Sequence, residues 1–303
     1  MADALGDRRV RRGEWQRLAP SLWLTGTDPA TDRQLVRAAF EHAGHDCVVT
    51  GLLACRALGL PYAPADGFID ALVPAHRRRS GSGVVRVMPT ERMPVPPWSL
   101  GPVGMASAER SVVDAARRLD DLRSVRALVL AALQSGRCGL TEVIAEVAAG
   151  PSAGSALMRR AVADFVRGAW SAPEAEVADV ALPALAAAGF REVLLNPSVF
   201  IDGQFLCLVD GWITGLGIAW EVDSREHHGD GDTLARHTAA ARHGALLMHV
   251  TPRRFRAAPG LWTAELVETA VARGRLSMPE PAGLVVVPAD LWARQRARLQ
   301  RGG

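Results

Sequence analysis

The chain has 303 residues, of which 49% are hydrophobic and 22% charged, and this composition is typical of a globular protein large enough for more than one core. No apolar run approaches the ~20 residues of a membrane-spanning helix, and the Arg-rich first residues lack the apolar segment of a signal peptide. We therefore expect a cytoplasmic protein without membrane contact. The four cysteines are Cys47, Cys55, Cys138 and Cys207. They form no CxxC pair, which argues against a zinc knuckle or a disulfide framework and favours buried free thiols.

The charge distribution is uneven, although the formal net charge is only +3. Every one of the 35 basic residues is an arginine. The arginines cluster in three places: Arg8, Arg9, Arg11, Arg12 and Arg17; Arg77, Arg78 and Arg79; and Arg294, Arg296, Arg298 and Arg301. Such patches suit a polyanion such as DNA, and a solvated charged face is the alternative.

The first 30 residues predict a basic helix and a hairpin. Residues Ala2 to Arg12 favour a helix that Gly13 ends, and Trp15 to Pro20 and Ser21 to Thr25 favour two short strands. A basic helix followed at once by a hairpin is typical of the second half of a winged helix-turn-helix. We interpret residues 1–30 as a partial winged-helix-like segment.

Residues 31–104 predict an α+β middle domain. The expected elements are helices over Thr31–His45 and Thr50–Gly59 and strands over Phe68–Val73 and Gly83–Met88. The two strands flank a loop that carries Arg77, Arg78 and Arg79, which suggests a hairpin with a basic tip. That tip could contact phosphate, or it could be a turn decorated with soluble charge.

A proline-rich linker over Pro94–Pro102 leads to a predicted helical connector over residues 105–170. One long helical stripe runs from Ser107 to Leu133, and shorter helices are expected over Thr141–Ala149 and Ala156–Gly168. The simplest role for these helices is packing and connection.

Residues 171–276 predict an α/β domain with a mixed sheet. Ser171 and Glu174 form a capping-box pattern at the start of a helix that extends to Ala188. The further elements expected are strands over Val193–Leu195, Val199–Ile201, Phe205–Val209, Ile218–Val222 and Ala245–Val250, a turn at Asp202-Gly203, and helices over Asp232–Gly244 and Trp262–Arg273. Residues 277–303 are predicted as a basic tail, amphipathic over Leu291–Arg301.

Three carboxylates stand out in this last domain. Asp210 ends one apolar strand, and Glu221 and Asp223 end the next. If the two strands pair, the carboxylates meet at one edge of the sheet, in the hard oxygen environment that Mg²⁺ or Mn²⁺ prefers. Nearby His227 or His228 could take a proton. Alternatively, Asp210-Gly211 is a turn and the acidic run is a solvated loop.

Two regions resemble known families. The run from Asp210 through Glu221-Val222-Asp223, His228 and Arg236-His237 to Val250-Thr251-Pro252 resembles an actinobacterial family related to the very-short-patch-repair (Vsr) endonucleases, which have the PD-(D/E)XK restriction-endonuclease-like fold. The segments Arg8–Trp23, Thr50–Pro61 and Leu72–Arg79 resemble AbiEi-type antitoxin regulators, which begin with a winged helix-turn-helix.

The resemblance to the endonucleases implies roles for five residues. Asp210 matches the metal-binding aspartate, Glu221 matches the acidic residue of the (D/E)XK element, and Asp223 stands where that element usually has lysine. Glu174 matches a glutamate of the first helix, a position that the capping box explains equally well, and His228 matches a recurring histidine. Since the chain has no lysine, lysine-dependent chemistry is excluded and a histidine-assisted version is open.

Two functions are therefore expected. The first is a DNA-binding protein with a Mg²⁺- or Mn²⁺-dependent endonuclease domain, in which Arg236 could meet a phosphate or, alternatively, form a surface ion pair. The second is a non-catalytic AbiEi-type antitoxin and transcriptional regulator that keeps a degenerate nuclease fold and binds a cognate toxin. DNA preference and oligomeric state are open in both.

Overall fold

The computed structural model describes residues 2–77, 79–223, 238–276 and 283–289. The chain divides into two compact units, Met1–Val162 and Ala163–Gly303. Both contain helices and strands, in agreement with the predicted α/β class. Among the described helices, none has the length and apolar character needed to cross a membrane.

The first unit opens with the predicted helix and hairpin. Helix α1 (Ala2–Arg11) is followed by β1 (Trp15–Ala19) and β2 (Leu22–Thr25), which pair antiparallel. Gly13 has a φ of 70°, a left-handed conformation that glycine adopts without strain. Gly6 lies so close to Trp23 that an added Cβ would overlap the indole ring. The helix and the hairpin are therefore held together by direct packing at a glycine.

A five-stranded mixed sheet forms the centre of the first unit. Its strands are β3 (Val48–Thr50), β4 (Ile69–Pro74), β5 (Val85–Thr90), β6 (Trp98–Leu100) and β7 (Val103–Met105), in the order β5-β4-β3-β7-β6. Strands β6 and β7 lie in or directly after the stretch predicted as a linker. The predicted hairpin between the two strands around the arginine loop is wrong, because β4 and β5 are parallel. Strand β5 therefore starts at the same end of the sheet as β4.

Five α-helices lie in the first unit and a sixth, α7, extends past its last residue: α2 (Asp32–Ala43), α3 (Gly51–Ala57), α4 (Ala108–Ala116), α5 (Leu122–Gln134), α6 (Leu140–Ala149) and α7 (Ala156–Arg167), after α1 in chain order. Thr31 and Gln34 form a capping box at α2. The predicted long helix is two helices, and Asp121 caps the second by accepting a hydrogen bond from the Ser124 amide at 2.9 Å. Buried Asp114 joins α4 to β3 through Thr50 Oγ1 at 2.9 Å.

The second unit contains two small sheets. Helix α8 (Ala172–Ala187) precedes β8 (Val193–Leu195), β9 (Ser198–Ile201), β10 (Gln204–Leu208), β11 (Gly211–Ile213), β12 (Ile218–Val222) and β13 (Leu246–Val250). One sheet has the order β13-β12-β11-β8, in which only the β12–β13 pair is parallel. The predicted mixed sheet is therefore present, and the large buried side chains Trp212 and Trp220 belong to it.

The other sheet contains a strand that the sequence did not predict. Strand β14 (Leu284–Val287), within the stretch interpreted as a basic tail, pairs with β9, and the order is β10-β9-β14. The predicted turn at Asp202-Gly203 joins β9 to β10, with φ of 50° and 78°. Helices α9 (Pro252–Ala257) and α10 (Pro259–Arg275) follow β13, and α10 packs on α8. Of the helix predicted over Asp232–Gly244, residues 238–242 are described and helical.

Candidate functional site

Asp210 and Glu221 lie side by side at one end of the four-stranded sheet. Strands β11 and β12 form a tight antiparallel hairpin in which Gly211 is opposite Trp220. The Asp210 amide donates to the Trp220 carbonyl at 3.1 Å, and the Val222 amide donates to Asp210 Oδ2 at 2.6 Å. These two bonds bracket Glu221, so Asp210 and Glu221 are neighbours across the hairpin.

This pairing differs in detail from the expected one. The strand that ends before Asp210, β10, belongs to the other sheet, and Asp210 meets Glu221 because it directly precedes the short strand β11. Gly211 is required there, since a Cβ at this position would overlap the indole of Trp220. A glycine next to the aspartate thus allows the close approach of the two strands.

Glu174 is linked to Asp210 through Asn196. Its Oε2 accepts hydrogen bonds from the Trp170 amide at 2.9 Å and from Asn196 Nδ2. The backbone amide of Asn196 donates to the backbone carbonyl of Asp210 at 3.0 Å. Ser171 caps the helix by accepting from the Glu174 amide at 3.3 Å, while the Glu174 side chain reaches the residue before the cap. Glu174 therefore has a structural role and also lies close to the acidic site.

Asp223 is turned toward a histidine that the sequence interpretation missed. Asp223 Oδ2 lies 3.1 Å from His249 Nδ1, and the Asp223 amide donates to the Val250 carbonyl at 2.9 Å. His249 is opposite Glu221 in the parallel β12–β13 pair. A polar histidine near the end of the apolar strand Leu-Leu-Met-His-Val was the signal that could have identified it.

Four predicted site residues lie outside the described residues: Arg78, His227, His228 and Arg236. Within the described ranges, no three His, Cys, Asp or Glu side chains are grouped to hold a metal ion. Mg²⁺ is nevertheless commonly held by one or two carboxylates together with water and substrate phosphate. The oxygen donors of Asp210 and Glu221 fit such a two-carboxylate site, whereas Asp223 makes a hydrogen bond to His249.

The arginines of α1 are presented at the surface. Arg9 pairs with Glu14, while Arg8, Arg11 and Arg12 are exposed and form no salt bridge with any residue that the structure describes. These exposed guanidinium groups, on α1 and just beyond its last residue, form a basic surface.

The arginines of the crossover loop make contacts within the protein. Arg77 pairs with Asp46 at 2.8 Å. Arg79 Nη1 donates to the His42 carbonyl, near the C-terminus of α2, at 2.9 Å, where a cation also interacts favourably with the helix dipole. These contacts account structurally for both residues.

No family model, no curated protein and no solved structure matches this chain.

Proposed function

We propose that the protein binds DNA and that its second unit is a Vsr-like, Mg²⁺- or Mn²⁺-dependent endonuclease domain. The observation that supports this most directly is the pair of hydrogen bonds that Asp210 makes on either side of Glu221, one donated by its own amide to the Trp220 carbonyl and one accepted by its carboxylate from the Val222 amide. Without a cation or hydrogen-bond donors, two adjacent carboxylates repel each other. Binding of a divalent cation is a function that needs two neighbouring carboxylates, and it explains why the β11–β12 hairpin holds Asp210 next to Glu221.

The chemistry assigned to these residues is hydrolysis of a phosphodiester. Asp210 and Glu221 would hold the divalent ion, which supplies charge stabilisation and a more acidic bound water. Asn196 and the Val222 amide hold Asp210 in place. The Asp223 carboxylate orients the His249 imidazole, whose side chain is 40% exposed. The arginines of α1 would bind the DNA backbone through charge.

The test is cleavage of supercoiled plasmid by the full chain with Mg²⁺, with Mn²⁺ and with EDTA. Nicking should require the metal and fall at least about 100-fold in Asp210→Asn and in Glu221→Gln, because a metal site contributes several kcal/mol to the transition state. Asp202→Asn is the matched control, since Asp202 lies on a turn away from the acidic pair at a φ of 50° that asparagine tolerates. Cleavage that persists in both site variants would rule out the nuclease assignment.

A second candidate is the AbiEi-type regulator, which would bind DNA and a toxin without cleaving. It is favoured by the hydrogen bonds that Glu174 and Asp223 make within the protein and by the exposed arginines of α1. The same plasmid experiment separates the two. No cleavage by the wild type, together with binding to its upstream DNA that weakens steeply with salt, supports the regulator. A neighbouring gene for a nucleotidyltransferase toxin would identify the toxin to test as partner.

A further inference from the structure

Helix α9 begins at the end of the four-stranded sheet that carries the acidic pair. Strands β12 and β13 run parallel, with Val222 opposite Val250, and the Asp223 amide donates to the Val250 carbonyl at 2.9 Å. The chain then turns at once into the helix, which Thr251 caps by accepting a hydrogen bond from the Arg254 amide at 3.2 Å. The first residues of α9 therefore lie beside the acidic end of β12.

Contacts with the rest of the second unit fix the orientation of α9. Phe255 is buried, and its ring meets that of Trp262 edge to face, with centroids 5.7 Å apart. Arg256 donates to both carboxylate oxygens of Glu176, from Nε at 2.7 Å and from Nη2 at 3.3 Å. Arg253 is two residues before Phe255, which places it about 200° away around the helix axis. It is therefore on the solvent side of α9, and it is exposed.

The three arginines of α9 differ in their ionic partners. Arg254 Nη2 lies 3.5 Å from Glu265 Oε2, and Arg256 pairs with Glu176. Arg253 forms no salt bridge with any residue in the described ranges. The planar guanidinium group matches the oxygen geometry of a phosphate. A guanidinium that is near a carboxylate pair, exposed and not neutralised is therefore suited to an anion that binds at that end of the sheet.

We propose that Arg253 binds a phosphate of the DNA substrate beside the phosphate that is cleaved. This inference rests on the proposed endonuclease function, because it places the scissile phosphate at a metal held by Asp210 and Glu221. Arg253 follows Val250 by three residues, so the two Cα atoms are at most about 11 Å apart. Successive phosphates of one strand advance by about 3.4 Å along the helix axis, so a flanking phosphate falls within this distance of the cleaved one.

Arg275 provides a matched control, because it is also exposed but lies at the other end of the sheet. It is the last residue of α10 and forms no salt bridge in the part of the chain that the structure describes. At its neighbour Gly274, an added Cβ would be 4.0 Å from Leu216 Cδ2. Leu216 is in the turn that joins β11 to β12, away from the acidic pair. Arg253→Gln and Arg275→Gln thus remove the same charge at opposite ends of one sheet.

The first measurement is binding of the full-chain variants to a DNA duplex in EDTA, by fluorescence anisotropy at several salt concentrations. Arg253→Gln should weaken binding about 10-fold and lower the slope of log Kd against log[salt] by about 1, because one phosphate contact is lost. Arg275→Gln should match the wild type in both quantities. Arg253→Lys keeps the positive charge and should retain most of the affinity. Thermal unfolding checks that all three variants fold as the wild type does.

The second measurement locates the phosphate. Duplexes that contain a mapped nick site carry one uncharged methylphosphonate at a time, and Mg²⁺-dependent nicking by the wild type and by Arg253→Gln is compared. One position beside the nick should slow the wild type about 10-fold and leave the variant unchanged, because the variant has already lost that contact.

The outcomes separate this inference from the function on which it rests. If the wild type nicks DNA but Arg253→Gln binds as Arg275→Gln does, or if the scan finds no such position, this inference is overturned and the endonuclease function stands. A wild type that nicks DNA with neither metal would overturn both.

Discussion

At the scale of single residues, Asn196 connects the acidic site to the first helix of its unit. Its side chain is buried, and Nδ2 donates to the Gly168 carbonyl at 2.8 Å and to Glu174 Oε2. Its φ of 51° lies in the left-handed region, which asparagine tolerates better than most residues. One residue thus supplies both the donors and the backbone conformation that the site needs.

We expect Asn196→Ala to lower the free energy of unfolding by about 2–4 kcal/mol. Truncation leaves the buried Gly168 carbonyl without its side-chain donor and removes one of the two donors to the partly buried Glu174 carboxylate, which costs about 1–3 kcal/mol, and the left-handed backbone adds about 1 kcal/mol for alanine. Asn196→Gly removes the same donors but tolerates the backbone conformation. Urea unfolding should therefore rank the variants wild type, glycine, alanine. An alanine variant as stable as the glycine variant would show that the backbone conformation contributes nothing.

At the scale of elements, α1 packs on β2 at Gly6, where there is no room for a side chain beside Trp23. In a helix, Gly→Ala normally stabilises by up to about 1 kcal/mol. At Gly6 the added Cβ would overlap the Trp23 indole, so we expect Gly6→Ala to destabilise by about 1–3 kcal/mol. Gly260→Ala, in α10, meets no atom within 4 Å and should be neutral or stabilising. The unfolding temperature should fall in Gly6→Ala and should stay the same or rise in Gly260→Ala. A rise in both variants would contradict the packing described.

The elements that the sequence predicted correctly are those with local signals. Thr31 and Asp202 with Gly203 mark a helix start and a turn through their own side chains and backbone preferences. The direction of a strand has no such signal. The alternation of β4 and β5 is the same whether the strands run parallel or antiparallel, so Ile69–Pro74 and Val85–Thr90 could not be told from a hairpin.

The acidic site was predicted in part for the same reason. The spacing from Asp210 to Glu221 suggested that they meet, but the three-residue strand β11 that brings them together is too short to give a periodic signal. Strand β14 was not predicted because residues 277–303 were interpreted as a basic tail from their arginines. His249 was missed because it lies inside an apolar strand, where its proximity to Asp223 depends on pairing between distant parts of the chain.

At the scale of the whole molecule, buried thiols couple stability to pH. Cys47, Cys55 and Cys138 all lie in the first unit and are buried. Burial, the largest cause, raises the pKa of Cys47 to about 11 and that of Cys138 to about 12, and it raises the pKa of Cys55 further. In the unfolded chain these thiols ionise near pH 8.5. Between these values the folded state binds more protons than the unfolded state.

The first unit should therefore lose stability as pH rises from about 8.5 toward 11, because unfolding then releases protons. Three thiols give a slope of up to about 4 kcal/mol per pH unit, and each Cys→Ala variant should remove about a third of it. Val85→Ala, in the same core as Cys47, should lower stability equally at every pH because no ionisable group is lost. The measurement is urea unfolding at pH 8, 9 and 10. A slope unchanged in all three cysteine variants would assign the alkaline loss to other groups.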